Sequence, residues 1–286
     1  VLGGRLADTV RVSRPGFWIT HLWFYLLPLG GRDVLAQPAF WLGAIYATAP
    51  LGHLLYGWND LGDEASDRLN PRKGNLLFGA RPSDEERRHL PRKMALVQAP
   101  FWALFLWLIG PKFLLWAAAA CAVNWAYNNH PLRLKSRPLF DLANQTGYLL
   151  VFVLSSWLNE APLLAWPAQL FGALFAMHSH LLGQIADVEP DRAAGRQTTA
   201  VWLGAAGAKL LTAALLLVEA MVVWRWFDCA PLAWFLALAG AGFAADRVLR
   251  GGRLVSDRQL AVVFIAWNIA AVASAYWVWR AAVFVE

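Results

Sequence analysis

Apolar runs long enough to cross a bilayer recur along this chain, and they constrain its fold more than any other feature. A transmembrane helix needs about 20 predominantly apolar residues. Runs of that character fall at 17–31, 38–58, 95–110, 113–129, 142–159, 163–186, 206–227, 230–249 and 259–282. Composition agrees: 15% of residues are charged, against about 25% in soluble domains. The chain therefore reads as an all-α, polytopic membrane protein with about nine transmembrane helices, forming one domain over 1–286. The first run is short, and Gly110-Pro111-Lys112 alone separates the third from the fourth, so eight helices is the alternative count.

A net charge of +6 would suit nucleic acid if it were concentrated in one patch. It is instead sorted by topology, which argues against a nucleic-acid partner. With nine spans, the N-terminal tail and the even-numbered loops share a side, and that side holds all of the 25 Lys and Arg except Arg32, Lys112, Arg225 and Arg280. Arg5, Arg11 and Arg14 of the tail belong to the basic side. The positive-inside rule makes that side cytoplasmic, with the N-terminus in and membrane lipid around the spans. Residues 1–16 show no cleavable signal pattern, so the first run is read as a retained helix. Cys121 and Cys229 have no metal-ligand spacing and read as free thiols.

The second run leads straight into Asn59-Asp60-Leu61-Gly62-Asp63-Glu64-Ala65-Ser66-Asp67. Ionisable groups at the end of a membrane helix are expensive and are functional candidates for that reason. On a continuous helix Asp60, Asp63 and Asp67 would fall within roughly 60° of one another, with Asn59 beside them. Three carboxylates on one stripe repel unless a cation lies between them. Oxygen-only ligands suit Mg²⁺, which fills its shell with substrate phosphate oxygens. The segment reads as half of a site for a metal-chelated diphosphate.

The other half lies at the end of the sixth run, in Asp187-Val188-Glu189-Pro190-Asp191-Arg192. Asp187 and Asp191 are four apart and share a helix face. The topology puts both clusters at the same end of the bundle, where they can converge. A solvated helix terminus would explain any one of these aspartates, but it is a poor account of two clusters at one depth. Five carboxylates with a diphosphate are untenable at a low-dielectric boundary without metal ions and basic side chains. Arg68, Arg72, Lys73, Arg133, Lys135, Arg137, Arg192 and Arg196 are the basic candidates.

N-D-x-x-D-x-x-x-D on the second helix with D-x-x-x-D closing the sixth resembles the UbiA superfamily of intramembrane prenyltransferases. The likeness extends to Ser13-Arg14-Pro15-Gly16-Phe17-Trp18, to Arg68-Leu69-Asn70-Pro71-Arg72-Lys73, and to the loop from Tyr127 to Pro138. It covers the chain to about residue 204; the last three helices match in hydropathy alone. The resemblance implies a helix bundle around a central cavity capped by cytoplasmic loops. It further implies Asp60, Asp63, Asp187 and Asp191 as Mg²⁺ ligands, with Asn59 and Asp67 completing the first motif. Tyr127, Arg133 and Lys135 would touch the diphosphate of an isoprenyl diphosphate donor. Two departures stand out. Tyr127 and Lys135 are eight apart where one common version has four, and Gln184 stands where some members have another Asp.

Ala176-Met177-His178-Ser179-His180, with the second motif and Thr198-Thr199-Ala200 beyond it, looks most like the carotenoid branch, the lycopene elongases. The implied reaction is Mg²⁺-dependent transfer of an isoprenyl group to a lipophilic acceptor such as lycopene, through an allylic cation. Aromatic, quinone-precursor or chlorophyll-type acceptors, a membrane terpene cyclase, and a cation-coupled transporter are the alternatives. Trp18, Trp23, Phe24, Trp125 and Trp157 are candidates to shield the cation. His178 and His180 are about 200° apart on a helix and cannot both face one site; one packed and one peripheral ring is expected. Segment 74–94 is expected either to cap the site or to serve as a connector, with Ser83 and Glu86 forming a capping box that starts a short helix.

Overall fold

The computed structural model describes residues 9–254 and 256–285, with Glu64, Ala65 and Ser66 described in backbone only. Arg5, counted above with the basic tail, lies outside the described residues. Among these residues the chain is helical, and an isolated bridge between Asn75 and Gly79 is the one strand-like pairing.

The first run forms α1 (Trp18–Leu26), flanked by short 3₁₀ turns at Pro15–Phe17 and Leu27–Leu29. The second is broken into α2 (Pro38–Ala47) and α3 (Ala49–Gly62). Thr48 leaves helical geometry at the break (φ −86°, ψ −106°), and Pro50 in the first turn of α3 has no N–H to continue the ladder. A six-residue α4 (Glu64–Leu69) follows. Then come α5 (Asp84–Ile109), α6 (Lys112–Asn128), the short α7 (Phe140–Ala143) and α8 (Leu149–Leu158). The rest is α9 (Trp166–Ala186), α10 (Val188–Ala193), α11 (Thr199–Trp226), α12 (Ala230–Arg250) and α13 (Asp257–Arg280).

Helices thus occupy the predicted apolar runs. Three of them, α11, α12 and α13, are by themselves long and apolar enough to cross a membrane. The others are interrupted or carry polar side chains, as α2 and α3 show. The Ser83–Glu86 capping box forms, with Glu86 N–H donating to Ser83 Oγ at 3.3 Å and Ser83 N–H to Glu86 Oε2 at 2.7 Å. The helix it starts is not short: α5 runs on through Pro91 and Pro100 to Ile109, where Gly110 at φ 80° ends it.

An aromatic-rich core holds the bundle together, with Tyr25, Phe24, Tyr46, Phe105, Phe152 and Phe171 almost wholly buried. Such side chains each remove 150–250 Å² from solvent. Asn159 joins α1 to α8 by donating to Tyr25 Oη at 2.9 Å, and Tyr25 in turn donates to the Phe40 carbonyl at 3.1 Å. The outer faces are apolar as well: Trp107, Leu115, Trp224, Trp234, Leu238 and Ile269 are all exposed. A surface of this kind suits lipid rather than water.

Candidate active site

α3 does not continue as one helix through the first motif. It stops at Gly62, and Asp63 sits between α3 and α4 at φ −110°, ψ 15°. The expected single stripe of three carboxylates is therefore split, and the split relieves their mutual repulsion. Asp60 and Asp67 turn to one cation: Lys73 Nζ lies 3.0 Å from Asp60 Oδ1 and 3.2 Å from Asp67 Oδ1. Arg14 adds a second contact to Asp60 Oδ1 at 2.9 Å. Asp63 turns the other way, to Lys135 Nζ and Arg196 Nη2, each 2.6 Å from Oδ1.

The second motif forms where α9 ends. Asp187 caps α9 and accepts from Asn70 Nδ2 at 2.8 Å and from Arg72. Arg72 also donates to the Ala186 carbonyl at 2.6 Å, so the loop after α4 is tied down over the end of α9. Asp191, on α10, accepts from Arg196 Nη1 at 3.0 Å. Arg196 thus joins Asp63 of the first motif, 133 residues away in sequence, to Asp191 of the second, five residues away.

Burial and charge act on these groups in opposite directions. Burial pushes the Asp63 carboxyl up, but Arg196 and Lys135 outweigh it and hold its pKa at about 2. Burial lifts Asp191 to about 6 despite Arg196, with Asp187 adding to the rise. Asp67 is also raised, chiefly by burial. Lys135 is lowered by burial against the pull of Asp63. Asp63 is thus held in its ionised form, whereas burial pushes Asp67 and Asp191 toward the neutral acid.

These groups frame one end of a cavity of about 280 Å³. Asn59, Asp63, Tyr127, Lys135, Asp187, Asp191, Arg14 and Arg196 line that end. Phe17, Phe24, Tyr56, Trp116, Tyr148 and Phe175 line the remainder. Lys135 is oriented by Asn128 at 3.0 Å and Asn59 at 3.4 Å, and Tyr127 Oη lies 3.1 Å from His180 Nε2. The site is amphipathic: a charged mouth opens into an aromatic interior.

Of the expected site residues, Asp60, Asp67 and Lys73 sit behind the cavity wall as one ion-paired group, and Arg72 anchors Asp187. Arg68 pairs with Asp84 at the surface at 3.4 Å. Arg133 reaches the Gly62 carbonyl at 3.5 Å, Arg137 donates to the Pro131 carbonyl at 2.8 Å, and Arg192 is exposed; none of the three lines the cavity. Gln184 donates to Asp141 Oδ2 at 2.7 Å and accepts from Ala200 N–H at 3.2 Å, so it clamps α9 to the start of α11. His178 is packed against Glu219 at 2.5 Å, whereas His180 is in the cavity wall and not peripheral. Among the expected cation-shielding rings, Phe24 alone lines the cavity. Trp23 stacks on Phe175 in the core, and Trp125 faces outward.

Sequence reasoning gave no site role to Arg14, His21, Tyr56, Tyr148 or Asp141. Arg14 was legible as part of the segment before α1. The other four carry no local signal, because they are single polar residues within helices or beside a turn.

Residues 17–270 match the UbiA prenyltransferase family. The chain is 32% identical over 219 residues to a lycopene elongase/hydratase of Corynebacterium glutamicum, covering 74% of each chain. It is 30% identical over 204 residues to a lycopene elongase/hydratase of Haloarcula japonica, covering 70% of this chain and 68% of that one. The fold is similar to a UbiA homologue from Archaeoglobus fulgidus solved with DMAPP and Mg²⁺, with TM-score 0.68, 20% identity and coverage of 98% and 100%. With two aspartate motifs meeting at the mouth of one cavity, the chain belongs to the UbiA prenyltransferase family and is a prenyltransferase.

Proposed function

We propose that this prenyltransferase moves an isoprenyl group from an isoprenyl diphosphate, held with Mg²⁺ at the charged mouth, to a lipophilic acceptor of the carotenoid class, lycopene foremost. The observation that carries the reading is the Arg196 bridge between Asp63 and Asp191, which brings both motifs to the mouth of an otherwise aromatic cavity. The acceptor class is supported by the lycopene elongase/hydratase relatives. The donor and metal are supported by the DMAPP- and Mg²⁺-bound structural neighbour. The basic-side excess supports a cytoplasmic mouth and N-terminus.

The residues present fit Mg²⁺. The motif side chains offer hard oxygen donors, and the buried Asp60 Oδ2 and Asp67 Oδ2 accept no hydrogen bond among the described residues. Asp63, Asp187 and Asp191 at the mouth would hold the ion, with Asp60 and Asp67 behind them and Asn59 beside them. When bound, Mg²⁺ neutralises diphosphate charge and stabilises the leaving group.

Lys135, Arg196 and Arg14 bind phosphate oxygens by exchanging part of their carboxylate contacts for them, and Tyr127 contributes a hydroxyl donor. Charge builds on the bridging oxygen as the C1–O bond breaks, and these pre-placed cations stabilise it more than they stabilise the ground state. The aromatic interior excludes water and presents ring faces to the allylic cation. The acceptor double bond then attacks C1.

Purified protein with Mg²⁺ and labelled dimethylallyl diphosphate, offered lycopene, chlorophyllide or hydroxybenzoate, tests the reading. Label on lycopene is expected. Label on a ring acceptor would overturn the acceptor class and keep the reaction. Diphosphate release without transfer to any acceptor would point to cyclase chemistry.

A further inference from the structure

The cavity wall holds a second polar system that the diphosphate chemistry does not use. His21 on α1 is buried and has both ring nitrogens bonded. Nδ1 lies 3.1 Å from the Ala47 carbonyl oxygen, and Nε2 lies 3.2 Å from Tyr56 Oη. Tyr56 Oη is in turn 3.3 Å from Tyr148 Oη. All three side chains line the cavity.

The direction of this chain follows from one fact. A carbonyl oxygen only accepts, so Nδ1 must carry the proton, and Nε2 of the neutral ring is then an acceptor. Tyr56 therefore donates to His21, and Tyr148 donates to Tyr56. The Ala47 carbonyl is available because the helix breaks at Thr48. A continuous helix would have bonded that carbonyl to the N–H four residues on. Arg14 holds Tyr56 in place, its guanidinium 4.5 Å above the ring while its Nη2 donates to Asp60 Oδ1. The O···O and N···O separations are on the long side, as catalytic hydrogen bonds often are before substrate binds. His180, the other histidine of the cavity, is bonded to Tyr127 among the groups of the charged mouth.

We propose that Tyr148, Tyr56 and His21 are the route by which the proton leaves the acceptor after the new carbon–carbon bond forms; this rests on the prenyl-transfer reading above. Attack of the acceptor double bond on C1 leaves a cation on the acceptor. A neighbouring C–H bond breaks, and its electron pair becomes the new double bond. The proton passes to the Tyr148 oxygen while the Tyr148 hydroxyl proton moves to Tyr56. The Tyr56 hydroxyl proton moves to His21 Nε2. The ring becomes imidazolium, still bonded to Ala47, and carbon carries no charge. The imidazolium later returns its proton along the same route to water that enters as the product leaves. Tyr148 is the catalytic member, and Tyr56 and His21 act through it.

Two measurements test this. In the full-length protein labelled with ¹⁵N at the histidine rings, with His21→Asn for assignment, His21 is expected to be protonated at Nδ1 and bare at Nε2. A proton on Nε2 of the neutral ring overturns the direction of the chain and the proposal. In transfer from dimethylallyl diphosphate to lycopene, Tyr148→Phe and Tyr56→Phe keep the rings and break the route. Each is expected to lower kcat about 100-fold with the donor KM unchanged. Lycopene deuterated beside its terminal double bonds should then show a primary isotope effect that wild type lacks, a readout that a packing role would not move. Wild-type kcat in both variants overturns the proposal alone. Wild type that prenylates no acceptor overturns the parent reading and this inference together.

Discussion

Asp63→Asn tests the centre of the site, because Asp63 is the carboxylate on which both cationic partners converge. Its pKa is held at about 2 against an ordinary 3.8. At 1.36 kcal/mol per unit, that is about 2 kcal/mol favouring the ionised form in the folded protein. The side chain is 3% exposed, so solvent screening discounts this little. A depressed carboxylate pKa contributes stability above the unfolded value, and that stability is lost as pH falls through about 2. At pH 7 it is fully present. The amide keeps the shape and removes the charge, leaving Lys135 and Arg196 facing a neutral group. Thermal unfolding of the detergent-solubilised variant should therefore show a loss of about 2 kcal/mol at pH 7. Transfer should fall far more than stability, by at least about 100-fold, because the charge that would hold the metal-bound diphosphate is gone. Prenyl transfer at the wild-type rate in a folded Asp63→Asn protein would refute the assignment of Asp63 to the metal. An unchanged melting temperature would refute the ion-pair arithmetic.

Other expectations follow from the same contacts. Chelation of Mg²⁺ with EDTA should stop transfer and added Mg²⁺ should restore it; activity that persists in EDTA would call for a different chemistry. Asp141→Asn should destabilise the fold by about 2 kcal/mol, seen as a lower melting temperature. Asp141 accepts from Thr199 N–H at 2.6 Å and Gln184 Nε2 at 2.7 Å, and an amide would put N–H groups where two donors already point. Gly43→Ala should cost about 1–3 kcal/mol, since a Cβ there would lie 2.2 Å from Tyr25 Oη and 2.6 Å from Leu158 Cδ2. A stable Gly43→Ala protein would show that α1, α2 and α8 can separate more easily than their packing implies.

Much of this molecule is legible in local pattern. The apolar runs locate the helices, because hydrophobicity over about 20 residues is a property of contiguous sequence. The Ser83 capping box is legible because its two hydrogen bonds close within one turn. Both aspartate motifs are legible for the same reason, each being a short spacing on a helix end. The length of α5 is not: the capping box and the run at 95–110 read as two separate segments, and packing along α3 holds them as one helix through Pro91.

Sequence by itself determined that the chain is helical and apolar and that it carries two aspartate clusters at helix ends. Tertiary structure alone decided which charges meet. Lys135 and Arg196 turn to Asp63, while Arg133 stops at the Gly62 carbonyl and Arg137 and Arg192 do not line the cavity. The break at Asp63 separates three carboxylates that a continuous helix would have stacked, and His21 acquires its directed hydrogen bonds from a carbonyl freed in another helix. The reason is physical. Spacing along a chain fixes the angle between neighbouring side chains, but the rotation of each helix about its axis is set by packing against partners distant in sequence. That rotation decides which side chains reach the cavity.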